Sequence, residues 1–447
     1  MPPAAADARD PSAASCGDCR AGPTRFRWVI VGVLCAVGFV LYIDRINIAV
    51  AAPWMKQEYL FSEQMRGIIF GAFLAGYAIG LVPGGWLADR FGPLRVLTAA
   101  GTCWGALTIL TGLTPTRGVG VTVDPVTLLI AARFMLGVCE GCAFPTFNRA
   151  LANWMRRSER ALASGLIHSG STLGGAFTPP FITFIISTWG WRESFVISGI
   201  VTFAVAVLWR LVATDEPSEH KRVSTEELAI IAADKEELHV TPADRAWYGR
   251  MVRSRNAYML CLSELFYGLA GFVFTTWFYT YFVEVRHADK TLSAFLYSLN
   301  YIAMAVGAPT GGLLCDLCVR RLGNPWGRRT VPLISITLAG GAGMIAPVIG
   351  DNVLSAVVFA VAAGLFFTAA SAFWSTLIDI TRRGTGVLGG LMNGSGQIGS
   401  GIGTISFAWL QSWVGWERAL QMSGLMGVIS GLVWLLIDSS RQIDEDP

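Results

Sequence analysis

Charge is the scarce ingredient of this 447-residue chain. Asp, Glu, Lys and Arg make up 15% of it, against roughly 25% in an ordinary soluble domain. A water-soluble protein of this size needs far more charge to cover its surface. There are four His and nine Cys, and so sparse and odd a cysteine set excludes a secreted disulfide framework. The balance of 34 basic against 31 acidic residues, net +3, is too even for a nucleic-acid binder. No H-E-x-x-H, P-loop or nucleophile elbow occurs. Neither an enzyme nor an ATP-driven pump is expected, and no cofactor or metal. What is plentiful is apolar: 53% of residues, with 50 Gly and a mean hydropathy of +0.51. That excludes disorder for the bulk of the chain. A polytopic helical membrane protein remains.

Residues 1–25 have no apolar run and read as a disordered cytoplasmic tail rather than a signal peptide. A bilayer-crossing helix needs about 20 mainly apolar residues. Twelve stretches fit: 28–51, 65–87, 95–114, 124–148, 161–186, 194–213, 257–283, 292–315, 330–349, 353–378, 386–411 and 418–437. Twelve spans put both termini on one side. The segments on that side hold 23 Lys and Arg, among them Arg156, Arg320, Arg382 and Arg383; the opposite loops, with Lys56 and Arg66, hold seven. This bias predicts cytoplasmic termini.

One long polar connection, 214–256, separates a six-helix half at 26–213 from another at 257–437, with a cytoplasmic tail at 438–447. Within it Ser224-Thr225-Glu226-Glu227 has the form of a capping box. The halves repeat. Gly85-x-x-x-Asp89 matches Gly312-x-x-x-Asp316, and Ser164-Gly165-Leu166 through Gly190-Trp191 matches Gly389-Gly390-Leu391 through Gly415-Trp416. Parallel repeats of this kind suggest a transporter with its site at the repeat interface.

Gly85-Trp86-Leu87-Ala88-Asp89-Arg90-Phe91-Gly92-Pro93-Leu94-Arg95 resembles the loop 2–3 signature of the major facilitator superfamily. Tyr42-Ile43-Asp44-Arg45-Ile46-Asn47, the stretch from Arg133 through Glu140 to Arg149, and Phe373-Trp374 through Asn393 narrow the match. Together they resemble the anion:cation symporter family, which includes sugar-acid/proton symporters. The hexonate and hexuronate carriers are the most similar subgroup. The resemblance implies an all-α fold of twelve transmembrane helices in two pseudo-symmetric bundles. It also implies that spans 1, 4, 7 and 10 line a central cavity. The chain departs from the subgroup at Leu81, Tyr279 and His168.

Ionisable groups inside spans are costly and mark function by default. Asp44, Arg45, Arg133, Glu140 and Glu264 fall in this class. An arginine fork suits a carboxylate, so Arg45 is the expected substrate anchor, with hydroxyls from Tyr42 and Tyr77. Buried carboxyls can exchange protons near neutral pH, which makes Asp44 and Glu140 the expected proton carriers; the resemblance agrees. Arg133 and Glu140 stand about 10.5 Å apart along one helix, so each needs a partner elsewhere, and Asp44 is a candidate for Arg133. Asn47, Arg133, His168, Ser171, Trp374, Asn393 and Gln397 complete the expected substrate set; Thr172, Asn300 and Ser375 are further polar groups, with helix packing the alternative for each. Glu264 reads as a shallow, solvated residue. The resemblance implies that Gly85, Asp89, Arg90, Gly92, Arg95 and Asp316 form a conformational latch.

Gly394-Ser395-Gly396-Gln397-Ile398-Gly399 fits a dinucleotide fingerprint but follows no strand. The Cys16/Cys19, Cys139/Cys142 and Cys315/Cys318 pairs lack further metal ligands. The function expected is import of an organic anion, such as a hexonate or hexuronate, with protons through alternating access. The carrier would work as a monomer in the cell membrane, without nucleic acid. Sodium is an alternative coupling ion. Export or antiport of an organic or aromatic acid, using Trp277, Tyr279 and Tyr281, is the alternative function; a ligand sensor is a third.

Overall fold

The computed structural model describes residues 23–116, 124–232, 245–381 and 385–443. Arg382, Arg383, Cys16 and Cys19 lie outside them. The first half contains α1 (Phe26–Tyr59), α2 (Glu63–Phe91), α3 (Pro93–Gly112), α4 (Pro125–Gly141), α5 (Ala143–Trp154), α6 (Arg157–Thr188) and α7 (Trp191–Val212). The connection carries α8 (Thr225–Ala232) and α9 (Arg245–Arg253). The second half contains α10 (Arg255–Thr276), the single turn α11 (Phe278–Thr280), α12 (Lys290–Leu322), α13 (Trp326–Ile345), α14 (Asn352–Ile380), α15 (Thr385–Val414) and α16 (Trp416–Val433).

Among the described residues ten helical stretches are long and apolar enough to cross a bilayer, α4 and α5 counting as one. The other two spans, α6 and α15, are 32 and 30 residues long and rich in Gly, Ser and Thr. The molecule is an all-α integral membrane protein with twelve spans in two related bundles.

Several ends differ from expectation. Helix α1 reaches Tyr59 and α12 reaches Leu322, so Lys56 and Arg320 are helical rather than in loops. The fourth span breaks at Cys142. Arg66 lies within α2 and is fully buried.

Local chemistry sets the ends. Ser62, Asp289 and Asp351 accept the backbone N–H of Met65, Leu292 and Leu354 and so cap α2, α12 and α14. Gly92 turns α2 into α3 at φ 84°, a conformation glycine adopts freely. Close packing uses small residues: a Cβ on Gly76 would collide with the carbonyl of Phe134, and one on Gly311 with that of Thr368.

The helix pairing repeats. The strongest contacts in the first half are α1 with α6, α2 with α4 and α3 with α7. In the second half they are α10 with α15, α12 with α14 and α13 with α16. These are the same span pairs in each bundle.

The halves meet through α2 with α15 and α6 with α12. Gly67 and Gly71 of α2 meet Ala408 and Ile405 of α15, and Gly175 of α6 meets Tyr301 of α12. These contacts lie toward the side away from the termini, the far side. About three to four turns nearer the termini the faces separate: Gly165 on α6 and Gly390 and Gly394 on α15 have open space where a side chain would stand. The molecule is closed on the far side and open on the termini side.

The connection is divided between the bundles. Glu227 of α8 is buried and accepts from the Thr24 hydroxyl at 2.6 Å, from the N–H of Phe26 and Arg27 at 3.0 and 3.1 Å, and from the Arg27 guanidinium. Its carboxylate therefore caps α1 and does not return to Ser224 as the capping-box reading expected. The Ser224 hydroxyl does accept the Glu227 N–H at 3.2 Å. On α9, Trp247 is buried and donates to Thr381, and at the start of α10 Asn256 bonds the backbone of Asp438.

Candidate functional site

The charged residues of α1 and α4 converge in the middle of the first bundle. Asp44, Arg133 and Glu140 are buried, and Arg45 keeps 17% of its side chain exposed. Arg45 Nη2 donates to Glu140 Oε2 at 3.3 Å. Its guanidinium carbon stands 4.7 Å from the ring centre of Tyr77, 5.2 Å from Phe73 and 5.3 Å from Tyr42. Arg133 lies 4.7 Å from the same Phe73 ring. One phenylalanine thus carries two guanidiniums, a cation–π arrangement that compensates part of their lost hydration.

Asp44 accepts from the Thr202 hydroxyl of α7 at 2.6 Å. The Asp44–Arg133 ion pair expected from sequence is not present among the described residues. Asp44 sits on the α7 side of α1, one residue and about 100° around the helix from Arg45.

The site leaves capacity unused. Asp44 Oδ1, Glu140 Oε1, Arg45 Nε, and Arg133 Nε and Nη1 are buried with no protein partner. Buried polar atoms without partners are costly. Two carboxyls and two guanidiniums balance at net zero when all are ionised. Such a group can take up protons and an anion together with little change in buried charge.

The other expected residues separate into groups. Asn47 is buried between Ser194 and Ser198 of α7, donating to Ser198 at 3.2 Å and accepting from Ser194 at 2.9 Å. Ser171 donates to the Ile167 carbonyl at 2.9 Å and packs on Gly38 of α1. Both are committed to helix packing and stand apart from the Arg45 group. His168 is exposed, with Nδ1 2.9 Å from the Ser164 carbonyl and its ring 5.0 Å from Phe144. Trp374, half exposed, and the partly buried Asn393 and Gln397 lie on α14 and α15 in the other half. No hydrogen bond, ion pair or ring contact joins these three to the Arg45 group among the described residues. Glu264 is not a solvated surface group: its side chain lies against Gly396 of α15, and Oε2 is buried without a partner.

Three residues at the site escaped the sequence reading. Phe73 and Tyr301 are uncharged aromatics in runs of aromatics. Tyr301 meets Tyr42 edge-on at 6.3 Å and brings the second half to the site. Thr202 had a signal, the stripe Ser194, Ser198, Thr202 at four-residue spacing.

The residues expected to form a latch fall into two similar groups at the termini side. Asp89 pairs with Arg149 of α5 at 3.5 Å. Asp316 faces Arg328 at 3.8 Å, and Arg328 bonds Asp379 at 2.7 Å. Gly85 has Pro145 at ordinary contact distance, Gly92 is backed by Asp215, Arg90 covers Trp86 and Phe91, and Arg95 is exposed. Both aspartates pair within their own half.

Comparisons with known proteins agree with this architecture. The chain is 33% identical over 421 residues to the "Probable sulfoacetate transporter" of Cupriavidus necator, covering 94% of this chain and 95% of that one. It is 27% identical to the "Probable galactarate/D-glucarate transporter" of Bacillus subtilis, covering 93% and 92%. Among solved structures, a bacterial homologue of the human lysosomal transporter Spinster, inward-facing and occupied, superposes with a TM-score of 0.75 at 17% identity, covering 93% and 97%. The family model of the Major Facilitator Superfamily matches residues 34–347 and 288–447. This chain is a membrane transporter, not an enzyme, and it belongs to the Major Facilitator Superfamily.

Proposed function

We propose that the protein imports an organic anion with protons by alternating access between bundles at 26–213 and 257–437, with the termini side facing the cytoplasm of the inner membrane. The observation that carries this reading is the buried Arg45–Glu140 pair, with Asp44 and Arg133 beside it, at the closed end of the termini-side opening. Arg45 holds the anionic group of the substrate, with Tyr42 and Tyr77 flanking it. Asp44 and Glu140 carry the protons. With both carboxyls protonated the group is left with two guanidinium charges, which matches a dianion. Loss of the protons to a more alkaline cytoplasm restores the Arg45–Glu140 pair and expels the anion. The pairing of Asp89 and Asp316 within their own halves fits a latch released while the far side is closed.

The substrate reading shifts within the class. Hexonates and hexuronates need many hydroxyl partners, yet Asn47 and Ser171 are spent on helix packing. Two guanidiniums and few free hydroxyl partners suit a short anion bearing a carboxylate and a second charged group, such as sulfoacetate. Trp277, Tyr279 and Tyr281 are buried on the far side, away from the opening, so they do not favour an aromatic acid.

The test is uptake into proteoliposomes of labelled sulfoacetate, glucarate, a hexonate and a hexuronate, with an inward proton gradient imposed and then collapsed. Gradient-dependent accumulation of one anion is expected, and Asp44→Asn or Glu140→Gln should abolish it while exchange survives. Accumulation that persists in either variant removes that carboxyl from coupling. Dependence on sodium instead of protons overturns proton symport.

A further inference from the structure

The far-side contact between the halves holds a charge cluster that the Arg45 site does not use. Arg66 of α2 is fully buried. Its Nη2 donates to Glu284 Oε1 at 2.8 Å and lies 3.3 Å from Glu63 Oε1. Its Nε and Nη1 are buried without a partner, and its guanidinium carbon is 6.0 Å from the Trp277 ring centre. Lys56 shares both acids, touching Glu63 and reaching Glu284 at 3.4 Å. Glu284 belongs to the second half, on a π-helical turn over Tyr281–Val285; such turns are rare and occur frequently at functional sites. The other three belong to the first half.

The ownership of these charges decides what happens when the far side opens. Glu284 leaves with its own bundle. Lys56 and Arg66 then face Glu63 alone, one positive charge in excess, with the Arg66 fork turned loose. Arg66 also shares a helix face with Phe70, Phe73 and Tyr77, at intervals of four, three and four residues. Phe73 carries the guanidiniums of Arg45 and Arg133. The Arg66 fork thus stands about 10 Å above the transport site by helical rise.

We propose that Arg66 is a second anion-binding position. It receives the carboxylate or sulfonate of the incoming anion while the far side is open. Glu284 is the built-in carboxylate that takes its place as that side closes. The inference rests on the anion-import reading.

The test compares far-side and termini-side KM for labelled sulfoacetate and glucarate with the full chain in proteoliposomes. Arg66→Gln should raise the far-side KM roughly tenfold or more, the loss of a charged hydrogen bond. Glu284→Gln should lower it, because the internal competitor is gone. The termini-side KM should hold in both, and Arg66→Lys should recover only part of the loss. A far-side KM that moves the same way in both variants, or a change in kcat alone, overturns the proposal and leaves an ion-pair gate. Should Arg66→Gln fail to fold, Glu284→Gln decides alone: a raised or unchanged far-side KM overturns it. Failure of the unmodified protein to move any anion sinks the import reading, and this inference with it, before any variant is compared.

Discussion

Arg45 does two things at once: it bonds Glu140 and lies against three aromatic rings. A lysine keeps the charge but loses the planar fork. Arg45→Lys should therefore transport with a KM raised about tenfold or more, from the loss of a charged hydrogen bond, whereas Arg45→Ala should not transport; initial-rate uptake separates the two. Legibility at this scale follows cost. Asp44, Arg45 and Glu140 stood out because a charge in an apolar helix is expensive. Asn47 and Ser171, which bond within the helix packing, were less legible because a small polar side chain is cheap on any face, and its direction depends on a helix rotation that sequence does not set. Phe73 and Tyr301 carried no mark among 25 Phe and 10 Tyr.

The elements were legible as apolar runs, and their caps and breaks less so. A run locates a helix core but not the charged turns that extend α1 to Tyr59, nor the break at Cys142. Packing between elements makes a sharp prediction. Gly76→Leu would drive a side chain into the α4 backbone and should cost about 3 kcal/mol, the upper part of the overpacking range. Gly394→Ala, into open space, should change stability by less than about 0.5 kcal/mol. Thermal melting in detergent reads both. The α8 anchor adds a pH dependence. Burial alone would raise the pKa of Glu227, but hydrogen bonds from Thr24, from the Arg27 and Phe26 backbone and from the Arg27 guanidinium outweigh it and hold the carboxyl below its ordinary value. Its contribution is full above the ordinary carboxylate range and is lost as pH falls through the lowered folded value. Proteolysis near α8 should therefore accelerate on acidification, and Glu227→Gln should remove most of that dependence.

At the scale of the whole molecule, the repeat was visible in two pairs of matching segments, and the paired helices bear it out. Which side stands open was not legible, because a carrier's sequence encodes both of its states. The far-side contact gives a direct handle on this state. A Cβ on Gly401 would stand 3.8 Å from that of Leu74 across the two halves, within the range a disulfide needs. Oxidised Leu74→Cys/Gly401→Cys should lose transport and regain it on reduction. Bridging can be scored by whether the halves, after cleavage at a site engineered between Ala232 and Arg245, still run as one species when denatured without reductant and as two once reduced.

That cleavage site has a use of its own. The connection is divided: α8 is fastened to the start of α1 through Glu227, and Trp247 and Asn256 are fastened to the second bundle. Each bundle thus holds the piece of connection that it needs for its own cap. Continuity of the polypeptide between them is then dispensable for folding, and the carrier should be obtainable from two separately translated chains. Co-expressed fragments ending after Ala232 and beginning before Arg245 should assemble in the membrane and transport, as two half-carriers with a shared site.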